Sequence, residues 1–115
     1  FESLSRNAQS CILVDNNTFT ISSLIDNKNN LNAKNALIVN STAEIFLKNN
    51  KELFDIIFFD PPFLNFDIYP LLSEIKKYLK PDGIIYLEMN EQYSGNKLKI
   101  LRNSKVGKVY FYLLQ

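Results

Sequence analysis

Four continuous apolar runs set the narrowest limit on how this chain can fold: Cys11-Ile12-Leu13-Val14, Ala36-Leu37-Ile38-Val39, Ile56-Ile57-Phe58-Phe59 and Ile84-Ile85-Tyr86-Leu87. None alternates with polar residues. A strand with one wet face alternates, whereas a parallel strand covered by helices on both faces does not, so the runs predict buried parallel strands. Helical spacing fills the gaps between them. Ile21, Leu24, Ile25 and Lys28 share one face; Ala43, Phe46 and Leu47 share another; Ile68, Leu71, Leu72, Ile75 and Leu79 share a third. Ser41-Thr42-Ala43-Glu44 fits a capping box opening the second helix, and Lys80-Pro81-Asp82-Gly83 ends the third. The order strand, helix, strand, helix, strand, helix, strand predicts an α/β fold with an open, doubly wound, Rossmann-like sheet. The tail differs: Leu98 to Leu101 and Val109 to Leu114, joined by Asn103-Ser104-Lys105 with no helix between, predict an antiparallel hairpin at one sheet edge. Asn crowds into Asn27 to Asn35 and Asn49 to Asn50, which read as turns and helix ends.

Composition narrows the chemistry. With 115 residues, 46% apolar and including nine Phe and six Tyr, the chain has enough apolar surface for one globular domain. It has no histidine, which excludes Ser-His-Asp and Cys-His triads and any imidazole base. A lone cysteine, Cys11, makes no internal disulfide, and no His/Cys cluster offers a zinc site, so the expected setting is a reducing cytoplasm without metal. No apolar run approaches the roughly 20 residues of a membrane span, and Phe1 to Ser10 does not read as a signal peptide. The net charge of +1 argues against nucleic-acid binding by general electrostatics alone and leaves room for a local basic face.

In an open α/β sheet the ligand sits outside the carboxyl ends of the strands. The residues ending the four runs are Asp15, Asn40, Asp60 and Glu88. Singly each is ordinary punctuation; together they gather carboxylates at one rim beside apolar walls. Asp60-Pro61-Pro62-Phe63 is the sharpest motif. Two prolines fix φ and leave a stiff loop in which a carboxylate and a backbone carbonyl can accept from one amino group, with Phe63 against the ring that carries it. The object recognised would be a nucleobase with an exocyclic amine; a proline-stiffened strand exit is the structural alternative.

Placed after Phe54-Asp55-Ile56-Ile57-Phe58-Phe59, this tetrapeptide resembles the [DNS]-P-P-[FYW] motif of S-adenosylmethionine-dependent amino-methyltransferases. Further segments resemble, in order and spacing, the bacterial enzymes that methylate a guanine N2 of 16S ribosomal RNA. They are Phe1 to Ala8, Leu13-Val14-Asp15, Asn35 to Ser41, Phe46-Leu47, Leu79 to Gly83, Ile85 to Glu88 and Gly107 to Tyr112. The resemblance implies that Asp15 takes the cofactor ribose hydroxyls and that Thr42 and Ala43 lie beside the adenine, where Thr42 departs from the family's Asp or Asn. It also implies that Asp60 and the Pro61 carbonyl bind the target amine beside the cofactor, that Phe63 stacks on the base, and that Glu88 is at most a supporting group. The implied partner is 16S ribosomal RNA or the assembling small subunit. The family's glycine-rich loop, which cradles the methionine end of the cofactor, has no counterpart here, since Gly83, Gly95 and Gly107 form no G-x-G. The expectation is therefore the carboxy-terminal part of one methyltransferase domain. Its central strand is missing, two strand edges lack their shared partner, and it is inactive alone. A non-catalytic remnant that binds RNA or a partner chain is the alternative. A receiver or flavodoxin-like module lacks the paired acids or phosphate loop it would need.

Overall fold

A computed structural model describes residues 1–61 and 67–115. The chain divides into two compact units, Phe1–Asn50 and Lys51–Gln115. The first contains α1 (Glu2–Ser5), β1 (Cys11–Asp15), α2 (Thr18–Leu31), β2 (Ala36–Asn40) and α3 (Ala43–Asn49). β1 and β2 pair in parallel, from Cys11 opposite Ala36 to Asp15 opposite Asn40, with α2 packed on β2 and α3 on β1. The predicted face of α2 holds in part: Ile21, Leu24 and Lys28 are half-buried, while Ile25 is exposed. The Asn cluster is only partly a turn. Asn27, Asn29 and Asn30 lie inside α2, and Asn32 ends it in the left-handed conformation (φ 53°) that Asn tolerates. The cap of α3 also shifts. Thr42, not Ser41, is the N-cap, its Oγ1 accepting from the Ile45 N–H at 3.2 Å, so Glu44 falls one position short of a capping box.

The second unit contains β3 (Phe54–Phe59), α4 (Tyr69–Lys76), β4 (Leu79–Met89), β5 (Ile100–Val106) and β6 (Val109–Leu114), with strand order β3-β4-β6-β5. β3 and β4 are parallel; β6 runs antiparallel to both β4 and β5. The two units thus hold a two-stranded and a four-stranded sheet, and the four-stranded one mixes parallel and antiparallel pairs. Among the described residues β1 pairs only with β2, and β3 only with β4.

Two boundaries differ from the sequence pattern. Lys80-Pro81-Asp82-Gly83 does not separate α4 from β4 but lies within β4 as a bulge. The register passes from Phe54 opposite Leu79 to Ile56 opposite Ile84, and Asp82 takes φ 65°. α4 consequently stops at Lys76, and Phe54 N–H already donates to the Tyr78 carbonyl at 2.7 Å. In the tail, Asn103-Ser104-Lys105 is strand, and the turn is Gly107-Lys108, closed by Val106 opposite Val109. Gly107, at φ 60°, supplies the positive φ that a two-residue hairpin loop requires. β5 starts at Ile100, after Lys99 exchanges two backbone hydrogen bonds of 2.9 Å with Gln115.

The core of the second unit lies on one face of its sheet. Ile85 and Leu87 of β4 oppose Leu114 and Tyr112 of β6, and α4, which packs on β4, buries Leu71, Leu72 and Ile75. Ile85, Leu87 and Leu114 are fully inaccessible. Leu87→Ala is expected to lower stability by about 2–5 kcal/mol, the range for emptying a packed leucine site. Urea unfolding of the two proteins measures the difference.

Candidate functional site

The carboxyl rim of the second unit is set by strand register. Phe58 and Phe59 of β3 stand opposite Tyr86 and Leu87 of β4, so Asp60 leaves β3 beside the level of Glu88. Asp60 is exposed between two buried neighbours, Phe59 and Pro61, which fix the backbone on either side of a carboxylate open to solvent. Pro62 and Phe63 of the predicted motif lie outside the described residues. Glu88 is half-buried and shares a face with Tyr86, two positions earlier. The Tyr86 ring in turn lies between Phe58, at a centroid distance of 5.8 Å, and Phe111, at 6.2 Å. An aromatic row across β3, β4 and β6 therefore leads up to the two carboxylates.

Sequence reasoning missed Tyr86, because inside an apolar run it reads as core. The period of two, counted back from Glu88, is the signal that finds it. Burial, and then the nearby Glu88 and Asp60 carboxylates, push the Tyr86 phenol above its ordinary value. Like any tyrosine the residue is protonated at neutral pH, so its hydroxyl is a donor among acceptors.

The first unit holds the other predicted residues. Asp15 ends β1 half-buried, and its Oδ1 accepts from the Asn17 N–H at 2.8 Å. Asn17 caps α2, its side chain accepting from Phe19 and Thr20. The Asp15 carbonyl accepts from Ser41 N–H at 2.9 Å, which brings Thr42 and Ala43 to the same end of the β1–β2 pair. Thr42 Oγ1 is taken up by its cap bond, and Ala43, the first residue of α3, is exposed. Among the described residues no group of three or more His, Cys, Asp or Glu is placed to hold a metal ion, and no helix is long and apolar enough to cross a membrane.

A further cleft of about 800 Å³ lies between α4 and the loop after β4, lined by Tyr69, Ser73, Lys76, Tyr93, Ser94 and Lys97. The Tyr69 hydroxyl accepts from Ser94 N–H at 2.9 Å, and Lys76 Nζ donates to the Lys97 carbonyl at 3.1 Å, so the loop is tied to the helix.

Comparison with known proteins fits this geometry. The family model described as "Conserved hypothetical protein 95" matches residues 1–115. "Ribosomal RNA small subunit methyltransferase D" of Haemophilus influenzae is 30% identical over 125 residues, and the chain spans 64% of its length. A solved Escherichia coli structure, of a protein proposed to be a methyltransferase, superposes with a TM-score of 0.87 at 29% identity, covering 99% of this chain and 66% of that one. A Haemophilus influenzae structure, of a protein proposed to be a methylase, gives 0.83 at 27%, covering 100% and 77%.

The Tyr86 proton is held more tightly in the folded state than in the unfolded chain, so its stabilisation is complete below about pH 10 and is lost as pH rises through the folded value. Tyr86→Phe is expected to make the alkaline fall in stability shallower. Chemical unfolding at a series of pH values above about 10 reads the slope.

Proposed function

Since the chain belongs to the family described as conserved hypothetical protein 95, we propose that it belongs to an S-adenosylmethionine-dependent methyltransferase. Its substrate is the exocyclic N2 amine of a guanine in small-subunit ribosomal RNA, which sets its work in the cytoplasm. The observation that carries the reading is Asp60-Pro61 directly after β3, level with Glu88, in a chain similar throughout its length to a ribosomal RNA methyltransferase.

Bound S-adenosylmethionine supplies an electrophilic methyl group on a sulfonium. The residues of the first unit suit its adenosine end. Asp15 is an acceptor-only group whose carboxylate is oriented by the Asn17 N–H, which fits a vicinal diol. Ala43, exposed and small, leaves room for a flat ring at the same rim, while Thr42 acts as a cap.

A guanine amine is a weak nucleophile because its lone pair is delocalised into the ring. Asp60 accepts one amine N–H and the Pro61 carbonyl the other, which favours a pyramidal nitrogen and aims its lone pair; alignment supplies much of the rate. Phe63 stacks on the base. With the lone pair so aimed, the amine would take up the methyl group that the cofactor supplies, and the proton it gives up would pass to solvent. A base within a helix cannot enter such a site, so the target nucleotide is splayed out of its stack.

In the complete enzyme Asp60→Ala is expected to lower the methylation rate by roughly two to four orders of magnitude with little change in cofactor affinity. Asp15→Ala should chiefly weaken cofactor binding. Single-turnover methylation of ribosomal RNA, with calorimetry for the cofactor, separates the two. In Asp60→Ala, an unchanged single-turnover rate at saturating cofactor together with weakened cofactor binding would refute the assigned roles.

A further inference from the structure

Charge is divided along this chain in a way that its net value conceals. Residues 1–91 carry twelve acids and eight cations, whereas residues 92–115 carry Lys97, Lys99, Arg102, Lys105 and Lys108 and no acid. The acid-free segment comprises the loop after β4 from Gln92 onward, then β5 and β6. All seven residues of β5 are exposed. The ion pairs among the described residues, Arg6 with Glu2, Lys77 with Glu74 and Lys80 with Asp55, take no cation from it. Lys105 Nζ instead lies 4.9 Å from the centroid of the Tyr110 ring, which is stacked within 9° of parallel to Tyr112.

Part of this pattern protects an edge, since lysines on an outer strand discourage pairing with another chain. Edge protection does not account for Lys97 and Lys99, which precede the strand, nor for Lys108, which sits in the turn. Direction matters more. β6 runs antiparallel to β4 with Tyr110 opposite Met89, so the Gly107-Lys108 turn projects from the carboxyl end of β4, the end where Asp60 and Glu88 stand. In the order β3-β4-β6-β5, three strand spacings of about 4.8 Å each separate the Asp60 strand from the basic edge. That span is bridged by a few nucleotides of single strand.

We propose that the acid-free hairpin and its leading loop grip the phosphate backbone of the RNA whose base is delivered to Asp60. The inference rests on the methyltransferase reading and adds to it the surface that holds the substrate. Lys99, Arg102, Lys105 and Lys108 neutralise phosphates flanking the target, and the Tyr110 ring beside Lys105 receives an unstacked neighbouring base. Arg102 and Lys105 project from opposite faces of β5, opposite Leu113 and Tyr110, so the cations line both sides of one sheet edge, and the excess of acids in the rest of the chain favours a polyanion there.

The test uses the intact protein and a fragment of small-subunit ribosomal RNA, with affinity measured by fluorescence anisotropy over a salt series and methylation measured in parallel. Arg102→Gln/Lys105→Gln/Lys108→Gln is expected to bind at least about tenfold more weakly. Its slope of log affinity against log salt should be shallower by about 2, because each single-strand phosphate contact contributes about 0.7. The charge-conserving Arg102→Lys/Lys105→Arg/Lys108→Arg should keep both values, and thermal unfolding checks that both variants are folded. A folded Gln variant with wild-type affinity and slope, beside a wild type that methylates the RNA, overturns the surface and leaves the reaction standing. Self-association of the Gln variant with unchanged RNA affinity assigns the cations to edge protection and overturns it equally. A wild type that neither binds nor methylates the RNA refutes the RNA methyltransferase reading and the surface with it.

Discussion

The second unit hangs on the pairing of β4. This strand takes β3 as a parallel neighbour and β6 as an antiparallel one, and its Ile85 and Leu87 are fully inaccessible. Because side chains alternate with a period of two, slipping β4 by one residue would turn Ile85 and Leu87 out of the core and drive Tyr86 and Glu88 into it. The cost of burying an unpaired carboxylate fixes the register as firmly as the gain from burying leucine. Everything at the rim follows from it. The parallel neighbour sets Asp60 level with Glu88, and the antiparallel neighbour returns the chain so that the Gly107-Lys108 turn lies at the same end.

The strands were legible because continuous apolar runs have few other uses in a small domain, and all four runs lie within strands. Their ends were less legible, for a specific reason. Pro81 and Asp82 look like a stop, yet a bulge accommodates a residue without an N–H and another at positive φ while the ladder continues on either side. The same competition shifted the turn of the edge hairpin, whose antiparallel pairing the sequence pattern placed correctly. Asn103-Ser104-Lys105 has turn composition, but Gly107 meets the backbone demand of a two-residue loop without steric cost, and that demand outweighs composition.

Site residues follow a similar division. Asp60 and Asp15 stand out as candidates because a carboxylate ending an apolar run breaks a pattern. Tyr86 breaks none, and neither does a one-signed charge distribution cancelled by acids elsewhere in the chain. Both become visible only when strand pairing assigns faces and ends. Thr42 shows the reverse case, in which a residue with two readings, cap and adenine neighbour, has its hydroxyl engaged by the Ile45 N–H.

The two acids at the centre of the proposed reaction are held in different ways, and the difference suits their tasks. Asp15 belongs to a unit in which every β1 residue is only half-buried and only Ala36 and Leu47 are buried. Its position comes from local hydrogen bonds, to Asn17 through the side chain and from Ser41 through the backbone. A diol tolerates such a holder, since either hydroxyl can turn to meet the oxygen. Asp60 is fixed instead by its backbone, between buried Phe59 and buried Pro61, with a proline ring limiting φ immediately after it. An amine that must present a lone pair along one line does not tolerate displacement, because an error of about 1 Å can cost about 100-fold in rate. The carboxylate with the stricter geometric task therefore sits directly after the strand that pairs with β4, whose Ile85 and Leu87 are fully inaccessible, and the one with the looser task sits where loop hydrogen bonds suffice.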